Sequence, residues 1–292
     1  MTMTHQRRAP ERMTVAFSDG GSTGLVVFRG GEADAPVVLC LPAMGVRAGY
    51  YAAVGAELAE RGFTAVLADL RGNGGSSVRP SRATTFGYVE MLETELPEIL
   101  EAVRREFGVE QVAVLGHSLG GHLGVMLAAT SPHVSHIVLV ATGTSWYRRV
   151  AGIRSMGRFL GLQLIFATTL LHGYLPDWLP FAGKEARGVI RDWGHDAMTG
   201  RYRIARSSVD YERALAESTV PALFVVLPED RYVPESCSEH LAAKLRSAEV
   251  AWTEIPPEHF GLEKTHHFRW AHRPGALVDA TVQWLESTTR RA

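Results

Sequence analysis

Residues 116–120 read Gly-His-Ser-Leu-Gly, so that Ser118 stands between two glycines, each two positions away. A serine hydroxyl presented on a sharp turn between small residues can act as the nucleophile of acyl transfer. The same letters also fit a purely structural glycine-rich turn. Ser118 follows the apolar run "VAVLG" and precedes "GGHLGVMLAAT", which has helical spacing. A turn from a buried strand into a helix favours the nucleophile over the structural turn.

Apolar runs and helical patterns alternate along most of the chain. Buried strands are predicted at "PVVLCLP", "FTAVLADL", "QVAVLG", "HIVLVAT", "PALFVVLP" and "EVAWTEI", and a hairpin precedes them around "SDGGSTG". Helical patterns separate them, including one from about Phe86 to Phe107 with Pro97 in a first turn. This order predicts an α/β fold whose mostly parallel central sheet is flanked by helices.

About eighty residues without a strand pattern separate "HIVLVAT" from "PALFVVLP". We interpret residues 144–216 as an inserted helical cap, and residues 13–143 and 217–288 as the core. The run 159–181 carries one formal charge, Asp177, but its clean apolar part ends near Leu171. A stable membrane span needs roughly 20 apolar residues, so a buried or cap helix is predicted, and contact with lipid or an oily substrate stays open.

Composition restricts the function classes. The net charge of −1 and the 21% of charged residues give no reason to expect nucleic acid as a partner. The two cysteines, Cys40 and Cys237, are too few for a disulfide framework or a cysteine metal cage. The first residues lack the apolar segment of a secretory signal, which predicts a cytoplasmic protein. Neither a cofactor nor a metal is predicted, and self-association is left open.

The stretches "LPAMG", "ADLRGNGGSS", "GHSLGGH", "LPEDRYVP" and "THHF" resemble those of α/β-hydrolases over almost the whole chain. The chain is most similar to a bacterial serine-hydrolase subgroup of the esterase or serine-aminopeptidase-like kind. The resemblance implies the α/β-hydrolase fold with a cap, and a Ser-Asp-His triad in that chain order. In this family the loop containing Asp69 and Arg71 is structural.

The resemblance also implies the partners of Ser118. Asp230 matches the D-x-x-V-P pattern of the family acid, and Glu229 is the fallback. His267 lies seven residues before Pro274, where the family base is expected, and His266 is the runner-up because it replaces a glycine there.

Two backbone N–H groups are predicted to form the oxyanion hole. Leu119 follows the nucleophile and begins a helix, whose positive end favours an anion. Met44 matches the second family donor, because Pro42-Ala43 stands where relatives have His-Gly. Gly45 is expected to let the backbone turn there.

The aromatic side chains of the cap predict a largely apolar pocket for a small acyl substrate. The candidate pocket residues are His117, Trp146, Tyr147 and Trp193, although the family histidine next to the nucleophile usually packs beneath the turn. The arginines of the cap either meet a carboxylate or phosphate or form a solvated face.

The sequence therefore predicts a serine hydrolase that cleaves an ester, thioester or related acyl bond. Three alternatives remain. One is acyl transfer, aminopeptidase, lactone or carbon–carbon bond chemistry on the same triad. Another is a ligand-binding protein with this fold and no turnover. The third, a nucleophilic aspartate as in haloalkane dehalogenases, is disfavoured by the serine itself.

Overall fold

The computed structural model describes residues 9–32, 34–179 and 181–289. The strands are β1 (Glu11–Ala16), β2 (Ser22–Phe28), β3 (Val37–Leu41), β4 (Thr64–Ala68), β5 (Val112–His117), β6 (Val134–Val140), β7 (Tyr174–Leu175), β8 (Glu185–Ala186), β9 (Ala222–Val226) and β10 (Val250–Glu254). The helices are α1 (Ala52–Glu60), α2 (Tyr88–Glu90), α3 (Leu96–Phe107), α4 (Leu119–Thr130), α5 (Ile153–His172), α6 (Arg187–Thr199), α7 (Tyr211–Glu217), α8 (Glu235–Ala242) and α9 (Gly275–Thr289).

One eight-stranded sheet runs through the molecule in the order β1-β2-β4-β3-β5-β6-β9-β10. Six strands of this sheet, β4, β3, β5, β6, β9 and β10, are mutually parallel. The strands β1 and β2 form the predicted hairpin, which is antiparallel and lies at one edge. The carboxyl ends of β3, β5, β6 and β9 therefore meet at the same side of the sheet, where open α/β sheets bind ligands.

The parallel strands are buried on both faces, which explains their continuous apolar runs. Successive residues contribute alternately to two apolar layers: Leu39 and Val114 pack on one face, and Val38 and Leu115 on the other. The buried Trp270 belongs to the second layer. These two layers hold β5 at the centre of the sheet, so that the turn after it starts from a rigid support.

The helix predicted from about Phe86 to Phe107 begins instead at Tyr88 and contains a π-helical turn at Met91–Glu95. Pro97 lies in the first turn of α3, directly after this π-helical turn. The segment predicted as a helical cap contains α5, α6 and α7 but also the small β7–β8 sheet. Two-residue strands are too short to leave a period in the sequence.

We call residues 144–216 the inserted segment, because it runs between β6 and β9 of the main sheet. Its longest element is α5. The residue that follows this helix, Gly173, has a left-handed backbone conformation with φ of 82°. Within the described residues, no helix combines the length and apolar character needed to cross a bilayer.

Candidate active site

Ser118 occupies the sharp turn between β5 and α4. Its φ of 52° and ψ of −113° lie outside the regions that non-glycine residues normally adopt, at a cost of about 1–3 kcal/mol. The Ser118 N–H donates to the Val140 carbonyl at 3.1 Å, which ties the turn to β6. The surrounding sheet thus holds the serine in a strained conformation that the isolated peptide would not choose.

The two glycines of the motif are required by close backbone contacts. A Cβ at Gly116 would lie 2.5 Å from the Gly120 carbonyl oxygen. A Cβ at Gly120 would lie 2.2 Å from the Leu41 carbonyl oxygen at the end of β3. Because side chains are excluded there, the beginning of α4 approaches the turn that follows β3.

That turn supplies one free backbone donor. The Ala43 N–H donates to Tyr51 Oη at 3.1 Å, and Tyr51 Oη lies 2.6 Å from His117 Nδ1. The Met44 N–H has no hydrogen-bond acceptor in the described part of the chain. The Leu119 N–H is the first of α4 and has no acceptor within the helix. Both residues line one cavity beside Ser118.

His117 lies beneath the turn rather than in the cavity. Tyr51 Oη thus joins the turn after β3 to the His117 ring. Burial lowers the pKa of His117 well below its usual value, and His267, whose ring centroid is 4.7 Å away, lowers it further. His117 is therefore a neutral spacer behind the predicted base.

Asp230 and His267 form a buried pair. Asp230 Oδ2 lies 2.6 Å from His267 Nδ1. The other carboxylate oxygen, Oδ1, accepts the N–H groups of Tyr232 at 2.8 Å and Val233 at 3.2 Å. The indole Nε1–H of Trp270 donates to the His267 carbonyl at 2.9 Å. These contacts fix both side chains, and the pairing leaves His267 Nε2 as the free ring nitrogen.

The two alternative residues lie elsewhere. Glu229 is exposed with a φ of 60°, and it lies outside the cavity lining. His266 is also exposed, and its Nδ1 accepts the Phe268 N–H at 3.3 Å. The geometry therefore pairs Asp230 with His267 and does not bring Glu229 or His266 to Ser118.

A cavity of about 330 Å³ opens over the turn. Ser118, Leu119, Met44 and His267 all line it. Its other walls are Ala43, His122, Ser145, Arg158, Gly161, Leu162, Ile165, Phe181, Ala182, Trp193, Arg231, Tyr232, Val233 and Phe268. Most of these side chains are apolar, so the cavity suits an apolar group next to the serine.

Of the four predicted pocket residues, only Trp193 lines this cavity. Trp146 packs instead against the His240 ring at 5.0 Å, and Tyr147 against Phe159 at 5.4 Å. His117 is held beneath the turn, as described above. Side chains in the loop after β6 follow no period, so the sequence does not tell which of them point inwards.

The walls that α5 and the loop after β9 provide are not among the residues predicted from the sequence. Arg158, Leu162 and Ile165 of α5 line the cavity at spacings of four and three residues. This spacing was a usable signal, because it marks one helix face. Tyr232 was missed as well; it follows Asp230 closely, and its ring centroid lies 5.0 Å from that of His267.

The Asp69 loop supports the site without lining its cavity. Asp69 accepts the N–H groups of Ala48 at 2.6 Å and Gly75 at 2.8 Å. Arg71 pairs with the buried Glu95 at 3.1 Å, and burial raises the pKa of Glu95 to about 7. These contacts join the loop to the turn after β3, in keeping with a structural role.

A second cluster of polar side chains lies at the wall of the cavity. His122 Nε2 contacts the Gly143 carbonyl at 2.6 Å, and Asp196 accepts the Ser145 N–H at 2.6 Å. Burial lowers the pKa of His122 to about 4 and raises the pKa of Asp196 to about 7. The two side chains anchor the start of the inserted segment to α4 and α6.

In the described part of the chain, no three His, Cys, Asp or Glu side chains are grouped to hold a metal ion.

Known proteins agree with this architecture. The family model described as the alpha/beta hydrolase fold matches residues 36–152. "Putative carbamate hydrolase RutD" of Cronobacter turicensis is 27% identical over 219 residues, covering 71% of this chain and 78% of that protein. The protein of the same name from Escherichia coli O9:H4 is 26% identical over 225 residues, covering 73% of this chain and 80% of that protein.

Two solved structures share the fold. A hydrolase from Pseudomonas aeruginosa PA01 has a TM-score of 0.60 at 22% identity, with coverage of 95% of this chain and 99% of that one. Est1E from Butyrivibrio proteoclasticus, solved with ferulic acid, has a TM-score of 0.67 at 16% identity, with coverage of 94% and 98%. At these identities the likeness concerns the fold alone.

The sheet order, the strained turn after β5 and these matches define the fold. The chain has the α/β-hydrolase fold, as its motifs predicted.

Proposed function

We propose that this α/β-hydrolase cleaves an ester, thioester or related acyl bond through an acyl-enzyme on Ser118. The observation that carries the proposal is the buried Asp230–His267 pair, 2.6 Å apart, at the wall of the cavity into which the turn presents Ser118. A serine hydroxyl needs a base, and the base needs an orienting acid. We assign the base to His267 and the orienting acid to Asp230.

The proposed reaction uses five groups of the chain. Ser118 Oγ attacks the acyl carbon while His267 Nε2 takes the hydroxyl proton. Asp230 holds the imidazole through Nδ1 and stabilises its charged form. The N–H groups of Met44 and Leu119 bind the oxyanion. His267 then gives its proton to the leaving group, and a water activated by the same nitrogen releases the acid and restores Ser118.

The substrate class follows from the cavity walls. Leu162, Ile165, Phe181 and Trp193 offer an apolar surface next to the serine, which suits an acyl chain or a ring. A carbamate, the substrate type in the relatives' name, reacts at a carbonyl in the same way, so it belongs in the screen beside esters and thioesters.

Intact-mass labelling with a fluorophosphonate tests the proposal. We expect rapid stoichiometric labelling of the wild type, none of Ser118→Ala and strongly slowed labelling of His267→Ala. His266→Ala is the matched control, because that exposed neighbour lies outside the cavity, and it should label at the wild-type rate. A folded wild type that does not label would overturn the proposal, and labelling that depends on His266 would move the base.

A further inference from the structure

One face of α5 is apolar and exposed. Ile153 is 89% exposed, Met156 59%, Leu160 59%, Leu164 57% and Leu171 74%. Their spacings of three, four, four and seven residues place them on one side of the helix. The face runs about 27 Å along the helix at the usual rise per residue. We call these five residues the outer face of α5.

This face is not the cavity wall. Leu162 and Ile165, which line the cavity, are buried on the opposite side of the helix. The helix is thus apolar on both sides, one towards the substrate cavity and one towards the surroundings. Large exposed apolar stripes of this kind mark surfaces that bind another apolar phase or partner.

The chain that leads into α5 and forms it carries charges of one sign. Between Glu110 and Asp177 the chain has four arginines, no lysine and no acidic residue, although its overall net charge is −1. Three of these arginines, Arg148, Arg149 and Arg154, are exposed and line a concavity of about 420 Å³ at the start of α5. Pro234 and Ser236, on either side of the exposed Glu235, line it as well.

Their charges are not neutralised within the chain. In the described part of the chain, none of the three has a carboxylate oxygen within 4.0 Å. Arg148 and Arg149 stack instead on the rings of Tyr147 and Trp146. Asp177, which is exposed, follows the far end of the helix.

We propose that the outer face of α5 docks on an anionic lipid–water interface, with Arg148, Arg149 and Arg154 on the lipid phosphates. An apolar helix face with flanking arginines is the arrangement that lies in the plane of such an interface. A second copy of this chain would bring another set of unneutralised arginines, whereas anionic headgroups neutralise them. Docking by this helix would bring the cavity beside it close to the lipid.

Co-sedimentation with vesicles tests the docking, and it measures binding rather than turnover, so its outcome is independent of the proposed function. The full chain is mixed with phosphatidylcholine vesicles with and without phosphatidylglycerol. We expect binding to the mixed vesicles at least ten-fold tighter than to phosphatidylcholine alone. Binding should weaken as salt is raised, because the headgroup attraction is screened.

Paired variants separate the two contributions. The double variant Leu160→Gln/Leu164→Gln should bind all vesicles at least ten-fold more weakly, because both side chains are exposed and their loss leaves the fold intact. Arg149→Gln/Arg154→Gln should lose the preference for phosphatidylglycerol. The controls are Val209→Gln, 38% exposed in the loop before α7, and Arg203→Gln; both should bind like the wild type.

Two results would overturn the docking. One is a wild type that stays in the supernatant with mixed vesicles, or a leucine double variant that sediments equally well. The other is a dimer, seen by analytical ultracentrifugation, that the leucine variant abolishes while vesicles bind neither protein. That result would assign the outer face to a second copy of the chain.

Discussion

Asp230 Oδ2 lies 2.6 Å from His267 Nδ1, while two main-chain N–H groups occupy the other oxygen of the same carboxylate. The carboxylate therefore has a single orientation, and so does the imidazole that it holds. The orientation comes from the loop after β9 rather than from neighbouring helices, because the two N–H groups belong to Tyr232 and Val233.

Asp230→Asn tests this relationship. An amide in place of the carboxylate can hold the imidazole in the wrong tautomer, so we expect kcat/KM for an activated acyl ester to fall by about 10⁴-fold. Glu229→Gln is the control, and its exposed side chain should leave the rate within about two-fold. Steady-state hydrolysis with circular dichroism as a folding check measures both. A larger loss in Glu229→Gln than in Asp230→Asn would identify Glu229 as the acid.

Tyr51→Phe removes the hydroxyl shared by Ala43 and His117. Two buried partners then lose their hydrogen bonds, so we expect the free energy of unfolding to fall by about 1–3 kcal/mol. Urea denaturation provides the value. Tyr50→Phe removes one half-buried bond, to the Phe268 carbonyl at 3.0 Å, and should cost less. Equal losses in the two variants would contradict the network beneath the turn.

Gly120→Ala tests the close approach of α4 to β3. Its Cβ would lie 2.2 Å from the Leu41 carbonyl oxygen, so we expect a loss of about 2–3 kcal/mol in stability together with most of the activity. Gly157→Ala is the control: nothing lies within 4 Å of that Cβ in α5, and helix propensity should add about 0.5–1 kcal/mol. An active, stable Gly120→Ala protein would show that the approach is not required.

Asp196→Asn should change how stability depends on pH. Burial raises the pKa of Asp196 from 3.8 to about 7, so the folded protein binds this proton more tightly than the unfolded chain. The contribution of this proton to the free energy of unfolding is fully present below about pH 4, and it is lost as the pH rises through about 7. The asparagine variant lacks this loss, so it should gain stability relative to the wild type between pH 4 and pH 8, by a few kcal/mol in order of magnitude.

Thermal or urea unfolding across that pH range gives the comparison. His122, whose pKa is lowered to about 4, contributes the opposite slope between about pH 4 and 6.5, and its Nδ1 lies 3.9 Å from Asp196 Oδ2. The same comparison in a His122→Gln background therefore isolates the contribution of Asp196. Parallel stability curves would contradict a buried, proton-binding Asp196.

The strands and the turn at Ser118 were predictable because their patterns are local. Apolar runs of five residues, such as Val37–Leu41, and two glycines at fixed spacing need no distant partner to be recognised. The resemblance to α/β-hydrolases also indicated which acid and histidine meet, and the structure pairs Asp230 with His267.

The cavity walls were harder to predict, because they depend on where the inserted segment packs. Trp146 and Trp193 are equally aromatic, yet Trp146 fits against His240 while Trp193 reaches the cavity. Nothing in the neighbouring residues distinguishes them. The helix α8 left no clear pattern either, since eight residues with three apolar positions resemble a loop.

Gly45 lies where the turn after β3 contacts the inserted segment. A Cβ at this residue would lie 1.9 Å from the Ala182 carbonyl oxygen, so the two backbones touch directly next to Met44. Met44 and Ala182 both line the cavity over Ser118. A side chain at position 45 would therefore force apart two walls of that cavity, so the width of the cavity at Met44 depends on this residue being glycine.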